Sequence, residues 1–154
     1  MKTLSSLVAV AAVSLLFGGA VSAAEFKVNY TMKARAAPEF MPIGDDNKAA
    51  VNVLDMAATN DNASDPVLNN MKGVCRVLLG VGKDGRPFSL DGYCTYESAD
   101  GKDAIFEECH FRGNDRPCTL NAGTGKFEGI KGKLQVTPKP DGGIKIGEYT
   151  LPKH

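Results

Sequence analysis

Along most of this chain, apolar and polar residues alternate with a period of two. Phe26, Val28, Tyr30 and Met32 fall on one side of the segment 25–34, with Lys27, Asn29, Thr31 and Lys33 on the other. That is the pattern of a strand with one buried face. Ile130, Leu134 and Val136 repeat it further on among lysines and a glutamine. Eight segments read as strands: 25–34, 49–58, 73–82, 86–97, 103–112, 116–122, 130–137 and 144–151. The alternation is blurred in 49–58, where Val51 and Val53 compete with Leu54 and Met56 and a short helix is the competing reading. Ala36 to Asn47, with Pro38, Pro42 and Gly44-Asp45-Asp46, reads as a connecting loop. Phe40, Met41 and Ile43 within it either cover one end of the fold or pack on its outer wall. Thr59 to Asn70 is a polar loop rich in Asn and Asp.

The turns between strands set the register. Asp84-Gly85, placed as a two-residue hairpin turn, opposes Val81 to Phe88, Leu79 to Leu90, Val77 to Gly92 and Cys75 to Cys94. A turn at Asp100-Gly101 opposes Tyr96 to Ile105, Cys94 to Glu107, Gly92 to Cys109 and Leu90 to Phe111. Gly113-Asn114, glycine first as a type II′ turn prefers, opposes Cys109 to Cys118. Directly opposed positions on antiparallel strands lie within disulfide reach. Of the three pairings that four cysteines allow, these registers select Cys75–Cys94 and Cys109–Cys118. Pairing Cys94 with Cys109 would instead require the turn at Gly101-Lys102.

Short strands with tight connections predict an all-β fold, an eight-stranded antiparallel up-and-down barrel of the calycin type stapled by disulfides. A barrel of this size encloses its own side chains or one small ligand. Residues 1–24 have the form of a secretory signal: Lys2, an apolar run from Leu4 to Phe17, then small residues with cleavage after Ala23 or Ala24. The remainder, 25–154, is the size of a single domain. An even cysteine count behind such a signal predicts an oxidising compartment, periplasmic or extracellular.

Without Lys2 the net charge is about −1, and no basic balance points to nucleic acid. No integral membrane segment is expected in the mature chain. No cofactor or metal is expected either: there is no Cys-x-x-Cys, and only two histidines, His110 and His154, are present. Asp61 to Asp65 lacks the glycine and closing glutamate of a calcium loop. The same loop contains Asn62-Ala63-Ser64, formally a glycosylation sequon. In GTGK, Phe127 and Leu120 stand where a phosphate-binding loop needs Ser or Thr and a glycine, which rejects nucleotide binding. No Gly-x-Ser-x-Gly elbow accompanies His110.

The segment Gly123-Thr124-Gly125-Lys126-Phe127-Glu128-Gly129-Ile130-Lys131-Gly132 resembles the GTGKF-x-G-x-x-G signature of the allene oxide cyclase barrel superfamily, which includes the dirigent proteins. Leu90-Asp91-Gly92-Tyr93-Cys94 is similar to bacterial barrel-like members of that group. The resemblance covers roughly the last eighty residues. It implies an antiparallel eight-stranded barrel with an apolar central cavity. The functional residues of those enzymes find no match here one by one, and the four cysteines depart from the plant pattern.

The polar candidate for a ligand site is Glu107, with Tyr96 and Phe111 beside it. The Asp100-Gly101 register puts Glu107 on the side of Phe88, Leu90, Leu79 and the cysteines, the expected interior. A slip of one residue would instead turn Phe106, Glu108 and His110 inward. A carboxylate inside the barrel is costly unless paired, and marks a candidate site. Three functions follow. The first is non-catalytic binding of a small apolar ligand in the barrel. The second is a secreted interaction or scaffold protein with a filled barrel, its loop 59–70 facing a protein partner. The third is a cyclase- or isomerase-type enzyme using Glu107 with Tyr96 or Tyr93.

Overall fold

The computed structural model describes residues 23–152; residues 1–22 of the expected export signal, and His154, lie outside the described residues. Nine strands run β1 (Ala24–Ala34), β2 (Glu39–Ile43), β3 (Asn47–Asn60), β4 (Met71–Val81), β5 (Pro87–Glu97), β6 (Ala104–Arg112), β7 (Pro117–Gly123), β8 (Lys131–Lys139) and β9 (Gly142–Thr150). Each pairs antiparallel with its sequence neighbours from β3 to β9, and β1 pairs with both β9 and β3. Eight strands therefore close into a barrel with no free edge.

The ninth strand, β2, lies in the stretch read as a loop. It pairs with the first residues of β3, while β1 pairs with the last ones. β1 and β2 are one arm interrupted at 35–38, and pairing with β3 resumes after Pro38 with the register shifted by two residues. Phe40, Met41 and Ile43 are exposed on this arm beyond the barrel. The helical alternative for 49–58 fails, because all of Asn47–Asn60 is strand.

The first cysteine hairpin reaches the expected register by a different route. Its loop is Lys83-Asp84-Gly85, three residues long: Gly82 N–H donates to Arg86 C=O at 3.0 Å and Gly85 N–H to Gly82 C=O at 2.9 Å. Gly85 has φ +78°, the left-handed residue that closes such a loop. That shifts the pairing by one, so Val81 opposes Pro87 and not Phe88. A bulge at Phe88 shifts it back, and Gly80–Ser89 through Lys72–Glu97 follow the expected register. Phe88 is consequently not an interior residue. Its ring lies over the outer face of Gly80, 48% exposed. The Gly113-Asn114 turn has two residues, with reciprocal Arg112–Asp115 bonds of 2.8 and 3.0 Å. Cys75–Cys94 and Cys109–Cys118 are disulfide-bonded across these hairpins, and no cysteine is free.

One end of the barrel is stoppered. The composition of 59–70 predicts a polar loop facing a partner, yet within it Val67 and Leu68 fold back into the interior with no exposure. Asn60 donates to Val67 C=O at 3.0 Å, and Asp65 accepts from Val67 N–H at 2.9 Å and from Tyr149 Oη at 3.0 Å. Polar residues thus satisfy the loop backbone while two apolar side chains do the filling. The GTGKF segment contributes to the same end through a short 3₁₀ turn, Gly125–Phe127, that seats Phe127 fully buried. The opposite end, formed by the hairpins at 82–86, 113–114 and 140–141, carries no such stopper among the described residues.

Candidate functional site

Inside the barrel, between stopper and open end, four polar side chains meet. β6 contributes Glu107: Ile105, Glu107 and Cys109 are buried, while Phe106 and His110 face outward. A bulge between β6 and β7 at Phe106/Glu107 leaves Asn121 as the extra residue. Asn121 donates outside the barrel to Glu108 at 2.8 Å, so the irregularity falls beside the one buried carboxylate of the strand.

β9 contributes Lys145, 3% exposed, which forms an ion pair with Glu107 Oε2. Lys145 Nζ also donates to Tyr96 Oη at 2.9 Å and lies 5.0 Å from the ring centroids of both Tyr96 and Tyr30. The ammonium is held by one anion, one phenol oxygen and two aromatic faces. Tyr96 Oη donates to Glu107 Oε2 at 3.4 Å. Burial, followed by the charge of Glu107, raises the Tyr96 phenol well above its ordinary value, so it stays a donor. Burial likewise raises Tyr30.

Glu107 Oε1 is buried and has no hydrogen-bond partner among the described residues. An unsatisfied buried acceptor costs about 1–3 kcal/mol. Glu107 lines a cavity of about 60 Å³ on the open-end side of the cluster. The cavity is walled by Met56, Val77, Val136 and the two disulfides, with Met32, Leu54, Leu90 and Phe111 partly buried at its mouth. Space of this size admits a few waters or a small group of atoms. Glu107 also lies within 4.8 Å of the sulfurs of Cys109 and Cys118, but these are bonded to each other and are not thiolate ligands.

Of the three residues singled out in the sequence, Glu107 and Tyr96 sit together in the cluster and Phe111 stands at the cavity mouth. Tyr93, the other tyrosine named with Glu107, is 60% exposed on the outer wall and cannot act with it. Lys145 was missed. The segment 144–151 reads as a strand without an assigned inner face; the register with β1 pairs Val28 with Lys145 and turns Ile146 out. The available signal was the glycine pair Gly143 and Gly147 on the lysine's own side. A Cβ on Gly143 would sit 2.6 Å from Tyr30 Oη, so β9 gives room to bulky side chains of β1 and brings no bulk itself.

No known family profile matches the sequence, and no curated protein matches it. Among solved structures, the fold is similar to a protein of unknown function from the DUF3224 family of Shewanella oneidensis MR-1. The TM-score is 0.62 at 10% identity, covering 86% of this chain and 100% of the other. At that identity the likeness concerns the fold: an all-β barrel, here stapled by two disulfides of the kind that persist in an oxidising, non-cytoplasmic environment.

Proposed function

We propose that this protein is an exported barrel, periplasmic or secreted, that binds a small apolar molecule non-catalytically at its unstoppered end. The observation that carries the reading is the asymmetry of the interior. One end is packed solid by Val67, Leu68 and Phe127, while the other keeps an apolar space whose lining includes Glu107, a buried carboxylate with one unsatisfied oxygen. A barrel built only as a scaffold would gain stability by filling both ends alike. Disulfides across two hairpins fit export, as does the apolar, small-residue character of 1–24. The GTGKF turn and the eight-stranded closure support kinship with the allene oxide cyclase barrel group. The cavity as it stands is small, so the ligand is of one-ring size or lodges part of itself between the mouth side chains.

Calorimetric titration with toluene tests the proposal. Saturable binding with a negative heat-capacity change is expected. Leu54→Trp, which places bulk at the mouth, should abolish it without unfolding the protein. No saturable heat in the unaltered protein would leave the filled-scaffold alternative standing.

A further inference from the structure

Resting on that binding reading, we infer that the ligand is a neutral amphiphile that enters polar end first and donates a hydrogen bond to Glu107 Oε1, as a small alcohol or phenol would. The cluster's own bonding fixes the chemistry. Glu107 and Lys145 neutralise each other, and both are within 3% of full burial. A carboxylate ligand arriving at Oε1 would face Glu107 with like charge. An ammonium ligand would add a second cation beside Lys145. Either would bring an uncompensated charge into a site walled by apolar side chains, which is strongly unfavourable.

A neutral donor adds no charge and supplies the one bond the cluster lacks. Oε2 already receives Lys145 and Tyr96, and the Tyr96 hydroxyl both accepts from the ammonium and donates to the carboxylate. Oε1 is therefore the acceptor left over, on a residue that lines the cavity, and a polar head that reaches it must enter first. Only a small head fits in about 60 Å³, so the apolar body of the ligand rests against Met32, Leu54, Leu90 and Phe111. A ligand entering tail first would leave Oε1 without a donor and set an apolar tail against the buried carboxylate.

Phenol and toluene, which differ in a hydroxyl against a methyl, separate this inference from the reading beneath it. Both are titrated into the protein and followed by amide and methyl NMR shifts. Phenol should bind at least tenfold tighter than toluene, with intermolecular contacts from its ring to Met32 and Phe111. In the double substitution Glu107→Leu/Lys145→Met, which removes the acceptor together with its counter-charge, the preference should vanish while both compounds still bind. Equal affinities in the unaltered protein would overturn the donor inference and leave apolar binding intact. Absence of binding by either compound would overturn both. The comparison within the unaltered protein needs no variant to fold.

Discussion

At the residue scale, the one buried ion pair among the described residues is a contact that apolar patterning hides. Glu107 and Lys145 are charges removed from water, and their mutual attraction with the Tyr96 bonds offsets that desolvation. Replacing one partner leaves the other uncompensated; replacing both with apolar residues of similar volume does not. Lys145→Met should therefore destabilise the fold by about 3–5 kcal/mol in urea unfolding, and Glu107→Leu added to it should restore most of the loss. Equal and additive losses from the two substitutions would show that the pair is not coupled. Glu107 was legible in the sequence because the turn at 98–103 keeps the expected pairing of Cys94 with Glu107. Lys145 was not. Its strand has two isoleucines on the outer face and glycines on the inner one, which inverts the usual sign of the pattern.

At the scale of elements, the loop 61–70 shows how polar composition conceals a core contribution. Of its ten residues two are apolar side chains with no exposure, and the Asn and Asp residues around them serve to bond the loop to itself and to β9. Tyr149, on the inner side of β9 with its ring against Phe26, clasps this stopper. Burial first, and then the carboxylate of Asp65, pushes its phenol up to about 12. A phenol whose pKa is raised on folding stabilises fully below its unfolded value of about 10, and the contribution fades as pH rises from there to about 12. Tyr149→Phe should cost about 1–2 kcal/mol at pH 8. The difference from the unaltered protein should shrink steadily in unfolding curves recorded from pH 9.5 to 12. A difference constant over that range would mean the phenol does not clasp Asp65. The cysteine hairpins teach a related lesson. A three-residue turn and a bulge at Phe88 cancel, so Cys75 pairs with Cys94 just as a two-residue turn would have placed it. Register over most of the strand was readable because apolar residues had to oppose one another; the local chemistry of the turn was not.

For the whole molecule, closure was readable in outline and the division of its interior was not. Eight alternating segments with tight connections imply a barrel, and β1 completes it by pairing on both sides. Nothing in strand periodicity says which end is filled, because that depends on where the loops fold. Here the long connection after β3 and the GTGKF turn fall at the same end, and the three hairpin turns at the other are too short to reach inward. β2 extends the wall at the open end without covering it, since its apolar residues remain exposed. The outcome is an apolar space with a polar base, and its permanence is what the binding reading requires. A crystal held under xenon pressure tests that directly, since an apolar cavity that stays dry takes up the gas. Xenon density is expected between Val77, Leu54, Leu90 and Phe111, on the open side of Glu107. Mouth side chains packed across that volume, with no xenon density there, would contradict it.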